Sequence, residues 1–194
     1  ALMAIRQPTE AMSAFEAALR HSPDSIETRL GIAEAKAANG DVTGALVDLA
    51  ALVQDEPAAA EVWLARGSLL LQQGRFADGD SALGEALRHA KGRLTEPMQL
   101  QALAGQIEAR LALNEADRAA EGFAELELRA SNAPITRLLK ARLAMVNNDF
   151  AGAVTTLTSL TNDLPGFAPA RLLLGTALMA QGSLYQAERQ LAMV

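Results

Sequence analysis

The sequence predicts an all-α protein built from stacked antiparallel helix pairs, that is, an α-solenoid. Half of its 194 residues are hydrophobic, but only 4% are aromatic. Most of the apolar residues are alanine and leucine, which are strong helix formers, and β-branched and aromatic residues are too few for a large sheet. A pattern of small and apolar residues also recurs about every 34 residues, and such a period is typical of repeat architectures.

The second helix of each predicted pair begins near a small residue. These residues are Ala11, Ala45, Gly79, Ala119, Ala153 and Ala187, spaced by 34 residues except for one spacing of 40. A large apolar residue follows four positions later and a further apolar residue three beyond it, which is the stripe of a helix with one apolar face. Because neither helix of a pair can bury its face alone, successive pairs are expected to stack on one another.

A turn residue separates the two helices of each pair, five positions before the small residue. The turn residues are Gly40, Gly74, Asn114, Asn148 and Gly182. Glycine and asparagine tolerate the left-handed backbone conformation that ends a helix. Pro23, Pro57 and Pro165 lie twelve positions after a small residue, where proline is expected to end the second helix.

Together these positions resemble the tetratricopeptide repeat, a helix pair of 34 residues. Trp63 and Gly67 fall at the positions where that family carries Trp and Gly. The resemblance covers essentially the whole chain. It implies a right-handed superhelix of about eleven helices, in which the first helix of each pair lines the concave face and the second helix lines the convex face.

The chain is expected to form a single array of repeats. Residues 1–25 are a partial repeat, residues 26–59, 60–93, 100–133 and 134–167 are full repeats, residues 94–99 are an insertion, and residues 168–194 are a truncated last repeat. The insertion predicts either a longer loop or extra helical turn, or a local bend that reshapes the groove. Because the chain begins with Ala1 and its last residues are apolar, we expect it to be an excerpt of a longer protein or to cover its end with another copy.

Composition and motifs argue against several classes of function. The net charge is −6, whereas a nucleic-acid-binding surface needs a stripe of basic residues. No apolar run is long enough to span a membrane. Cysteine is absent, which excludes disulfides and thiolate metal sites. His21 and His89 fall near the ends of second helices, where imidazole suits the helix dipole. No catalytic, phosphate-binding or metal-binding motif occurs, so we predict a non-enzyme without a cofactor or metal.

The resemblance implies that a ligand lies in the concave groove, against the first helices. One half of the predicted groove carries apolar and polar residues, namely Leu138, Arg142, Met145, Leu172, Thr176 and Met179. The other half carries acidic residues, namely Glu27, Glu34, Glu61 and Glu108. A subtype of the family grips a terminal carboxylate with Lys, Asn and Arg at these positions, but only Arg142 occurs here, so that mode is not expected. Packing between neighbouring first helices accounts equally well for Leu138 and Leu172.

The predicted function is a scaffold that binds a protein or peptide partner, with the Met- and Leu-rich half suited to an apolar or amphipathic segment. Two alternatives stay open: a self-assembly module that pairs or stacks through its solenoid ends, and an accessory domain of a larger enzyme such as a glycosyltransferase. The closing stretches LLKARLAMVNNDFAGAV and APARLLLGTALMAQGSLYQAE resemble bacterial repeat proteins of exopolysaccharide secretion and exosortase-linked lipoproteins. That resemblance implies a periplasmic or membrane-anchored protein; otherwise a cytoplasmic location is expected.

Overall fold

The computed structural model describes Ala17 and residues 25–193. The predicted partial repeat at residues 1–25, including His21, lies almost entirely outside the described residues. Ten helices and no strand occur between residues 25 and 193, which confirms the all-helical prediction. They are α1 (Ile26–Ala38), α2 (Val42–Asp55), α3 (Ala60–Gln72), α4 (Phe76–Arg88), α5 (Glu96–Ala112), α6 (Ala116–Ala130), α7 (Pro134–Val146), α8 (Phe150–Asp163), α9 (Ala168–Ala180) and α10 (Leu184–Leu191).

Within each of two compact units, successive helices pack against one another, as a helical repeat requires. The chain forms two compact units, one up to residue 109 and one from residue 110 onward. In the first unit, α1 packs on α2, α2 on α3, and α3 on α4. In the second unit, the same chain of contacts runs from α6 through α7, α8 and α9 to α10. That all these pairs form one continuous array stays a prediction.

The turns inside the helix pairs form where the sequence predicts them. All five turn residues have positive φ, from 60° at Asn114 and Asn148 to 91° at Gly40. Two of the second helices are then capped by an aspartate. The side chain of Asp41 accepts a hydrogen bond from the Gly44 N–H at 2.8 Å, and that of Asp149 accepts one from Gly152 at 2.9 Å. Such caps satisfy a backbone donor that the helix leaves unpaired.

The predicted stripe of the second helices forms the core of each unit. In the first unit Leu49 and Leu83 are buried, and in the second unit Leu157 and Leu160 are buried. The small residues allow close approach between the helices of a pair. A Cβ atom added to Gly67 would lie 2.7 Å from Leu83 Cδ2, and one added to Gly175 would lie 2.7 Å from Leu191 Cδ2. Glycine at these positions therefore sets the distance between the two helices.

The insertion is accommodated mainly by helix. Helix α5 begins at Glu96 and has 17 residues, whereas α3 has 13. The chain before it turns at Gly92, which has a φ of 76°. Leu94 then packs into the core of the α3–α4 pair, and the Gln99 side chain donates a hydrogen bond to the Leu94 carbonyl at 3.0 Å. The extra residues thus lengthen a first helix by about one turn.

A buried polar contact joins α4 to the lengthened α5. Gln106 Nε2 donates hydrogen bonds to both the carbonyl oxygen and Oδ1 of Asp80, each at 3.0 Å. Both residues are buried, where an unmade hydrogen bond would cost free energy. Ile107, which stands where other repeats carry a small residue, is completely buried beside it.

Candidate partner-binding site

The first helices of the first unit border a pocket of about 440 Å³. Its wall comes mainly from α1, α3 and the start of α5. On α3 the lining residues Glu61, Leu64, Ser68 and Gln72 recur every three or four positions, which places them on one helix face. The pocket therefore lies on the surface that the sequence predicts as the groove.

The pocket combines an apolar floor with polar edges. Leu64 is buried, and Leu30 and Met98 are half-buried around it. Gln101 Nε2 lies 3.5 Å from Ser68 Oγ, within reach of a weak hydrogen bond across α3 and α5. Few fixed polar groups on a mainly apolar lining are typical of ligand pockets.

Two carboxylates supply the charge of the pocket. Glu34 is exposed at the pocket, yet desolvation by the surrounding protein raises its pKa; its surface exposure means that this desolvation is partial. Glu61 has a side chain that is 28% exposed, and its Oε1 lies 3.9 Å from Arg93 Nη1. Among the described residues, nothing donates a hydrogen bond to its buried Oε2. No lysine or arginine occurs among the described residues that line the pocket.

In the second unit, three predicted groove residues share a strip on α9. Leu172 and Met179 are 55% and 45% exposed, and Thr176 lies between them at helical spacing and is also exposed. The Thr176 hydroxyl donates to the Leu172 carbonyl at 3.0 Å, so it already has an acceptor. The strip is therefore mainly apolar.

The other predicted groove residues lie elsewhere. Leu138 is only 8% exposed and belongs to the core of α7, α8, α9 and α10, which favours the packing alternative for this residue. Met145 is half-buried against the same core. Arg142 and Glu108 are half-buried and already engaged in polar interactions. Of the four predicted acidic groove residues, Glu34 and Glu61 line the pocket, whereas Glu27 and Glu108 do not.

Met98 is one of the lining residues that the sequence did not predict. It lies in the lengthened first turn of α5, and the insertion removes the repeat spacing that would have identified it. The only available signal was the apolar side chain just after Pro97, within a segment that had no counterpart in the other repeats.

A second pocket, of about 420 Å³, borders α2 and the C-terminal part of α3. Its cations already have partners. The Arg66 guanidinium lies 5.5 Å from the centroid of the Trp63 ring, and Arg75 Nη2 lies 2.6 Å from Asp78 Oδ2. The first-helix pocket differs because its Glu61 retains an unpaired oxygen, and we therefore take it as the candidate site.

Neither a metal centre nor a membrane span emerges from the part of the chain that the structure describes. Within residues 25–193, no three His, Cys, Asp or Glu side chains come together as metal ligands. The helices of that segment all fall short of the length and apolar character needed to cross a bilayer. His89 caps the C-terminal end of α4, which agrees with the position expected for it.

Comparison with known proteins finds the same repeat. Models of the tetratricopeptide repeat match residues 2–69, 64–133 and 138–192. No curated protein sequence matches the chain at a significant level.

Solved structures show the same fold at low sequence identity. One is a tetratricopeptide repeat protein from Parabacteroides merdae. The aligned region covers 97% of this chain and 73% of that protein, with a TM-score of 0.80 and 14% sequence identity. Another is PilW, a widely conserved type IV pilus biogenesis factor. Its alignment covers 98% of this chain and 87% of PilW, with a TM-score of 0.82 and 19% sequence identity. A third is YrrB, a tetratricopeptide repeat protein with an unusual peptide-binding site. Its alignment covers 94% of this chain and 91% of YrrB, with a TM-score of 0.68 and 15% sequence identity.

Proposed function

The chain belongs to the tetratricopeptide repeat family, and from this premise we propose that it binds a segment of a partner protein along the surface of its first helices. Proteins of this family are generally non-catalytic scaffolds for protein interaction. The observation that carries the proposal is the pocket of about 440 Å³ between α1, α3 and α5. Its volume falls within the range of ordinary ligand pockets.

The strip on α9 is the proposed contribution of the second unit. Leu172 and Met179 present exposed apolar surface at a spacing of seven residues, which suits contact with an apolar or amphipathic segment. Methionine adapts to irregular partner surfaces because its side chain is flexible and polarizable.

The proposed setting is a bacterial envelope or secretion system. This part rests on the resemblance of the closing repeats alone, since likeness to the pilus factor PilW extends to the fold only. A full-length reading frame with neither an export signal nor a lipid-attachment cysteine would contradict it.

Filling the pocket tests the proposed binding mode. Ala38 is exposed at the end of α1 and lines the pocket. Ala38→Trp is expected to weaken binding by about tenfold, because the indole ring occupies space that a bound segment needs. Binding is measured by isothermal titration with peptides selected from a random displayed library against the whole unmodified chain.

Ala51→Trp is the matched control. Ala51 is exposed on α2, the partner helix of α1, and does not line the pocket. The control is expected to bind like the unmodified chain. If Ala38→Trp keeps full affinity for all selected peptides, the pocket is not the binding site; circular dichroism establishes that both variants remain helical.

A further inference from the structure

We infer that the first-helix pocket selects a basic segment, one that places a lysine or arginine side chain against Glu34 and Glu61 and apolar side chains against Leu30 and Leu64. The inference rests on the proposed function and specifies the partner's chemistry. The expected ligand group is a cation, whereas the family subtype described above binds the anionic terminal carboxylate of a peptide. Both carboxylates line the pocket, and no cationic side chain does so among the described residues.

The unpaired oxygen of Glu61 is the first observation behind this inference. Arg93 approaches Oε1 only at 3.9 Å, which is too long for a hydrogen bond. Oε2 is buried and has no donor among the described residues. A buried carboxylate oxygen without a donor costs free energy. The Glu61 side chain is 28% exposed, and its rotation toward the pocket would let an ammonium or guanidinium N–H of a ligand supply a charge-assisted hydrogen bond.

The cations nearest in sequence to Glu34 are the second observation. Lys36 Nζ lies 2.6 Å from Asp48 Oδ2, and Arg29 Nη2 lies 2.8 Å from Asp55 Oδ2. Both cations of α1 therefore pair with carboxylates of α2. This arrangement leaves Glu34 available to a ligand cation.

The uncharged lining defines the rest of the segment. Leu30, Leu64 and Met98 offer apolar contact, so residues beside the basic side chain should be apolar. Ser68 and Gln72 place a hydroxyl and an amide along the same face of α3, where they can bond to the backbone of the segment. The expected ligand is therefore a segment in which a basic residue has apolar residues beside it.

Selection from a random displayed peptide library tests this inference. Peptides enriched on the whole unmodified chain are expected to be rich in Lys or Arg beside apolar residues. Glu34→Gln with Glu61→Gln is expected to bind a synthetic copy of such a peptide about tenfold more weakly, because the partly desolvated charge complementarity is lost. High salt is expected to weaken binding to the unmodified chain, since screening acts on this attraction.

Glu56→Gln with Glu121→Gln is the matched control, because it removes the same charge at two exposed positions. Glu56 lies just after α2, and Glu121 lies on α6. This control is expected to retain the affinity of the unmodified chain, which separates the pocket from the general effect of the net charge. Circular dichroism checks that both double variants stay folded. Such a result would support the inference.

The possible failures are distinguishable. Enrichment of acidic or neutral peptides would overturn the inference while leaving peptide binding intact. Equal weakening by the pocket variant and the control, or no weakening by the pocket variant, would also overturn it. Enrichment of no peptide at all would contradict the proposed function itself, and the inference with it.

Discussion

Replacing Leu83 with alanine is expected to lower the free energy of unfolding by about 2–5 kcal/mol. Leu83 is 1% exposed in the core of the first unit. An ideal Cβ on Gly67 would lie 2.7 Å from its side chain, and one on Gly105 would lie 2.8 Å from it. Because glycine offers no side chain that could move into the space, truncation of Leu83 should leave a cavity that collapses poorly.

Urea denaturation followed by fluorescence measures this loss in the first unit. Trp63 is the single tryptophan of the chain and lies on α3, so its emission reports locally. Val47→Ala is the control, because Val47 lies in the same unit and is 64% exposed, and exposed truncations usually change stability by about 0.5 kcal/mol or less. A Leu83→Ala variant as stable as this control would show that the α3–α4 contact is not as described.

Replacing Gly67 with leucine is expected to lower the free energy of unfolding by about 2–3 kcal/mol, because it overpacks the same contact. Its first side-chain atom would lie 2.7 Å from Leu83 Cγ and 3.2 Å from the Leu83 backbone nitrogen. The side chain of Leu83 can shift, but its backbone can do so only if the two helices separate. The same urea titration with Trp63 fluorescence measures the loss.

A double-mutant cycle separates the clash from other effects of the substitution. Gly67→Leu combined with Leu83→Ala should destabilise the chain by less than the sum of the two single changes, since the new side chain takes the vacated space. Gln72→Leu, at an exposed position on the same helix, controls for adding leucine to α3. Strict additivity in the cycle would mean that positions 67 and 83 do not meet.

Features that depend on neighbouring residues in the chain were predictable. Asn114 and Asn148 have positive φ because a helix that ends after a fixed number of residues needs a left-handed residue there. Leu49 and Leu157 are buried because the apolar stripe of each second helix has one face to cover. These signals are local and recur in each repeat, so one sequence contains several copies of each.

Burial on the first helices was not predictable from position alone. Leu138 and Leu172 occupy the same place in their repeats, yet they are 8% and 55% exposed. The core around Leu138 includes residues of α9, whereas no first helix follows α9 among the described residues. Burial of a side chain at this position therefore depends on whether another first helix packs beside it. The repeat pattern within one helix pair does not contain that information.

The contacts made by the lengthened helix α5 also escaped prediction. The insertion shifts the repeat spacing, so neither Met98 in the pocket nor the pairing of Gln106 with Asp80 could be aligned with another repeat. Such contacts depend on where a helix begins, and helix boundaries are set by tertiary packing as well as by local signals.

Hydrogen–deuterium exchange of the whole chain, with and without a peptide selected on it, tests the central claim most directly. If partner segments bind along the first helices, the peptide should slow exchange in α1, α3 and the start of α5, while α2 and α4 exchange as in the free chain. Slower exchange confined to α2 and α4 would contradict the claim, because it would place the partner on the opposite side of the helix pairs.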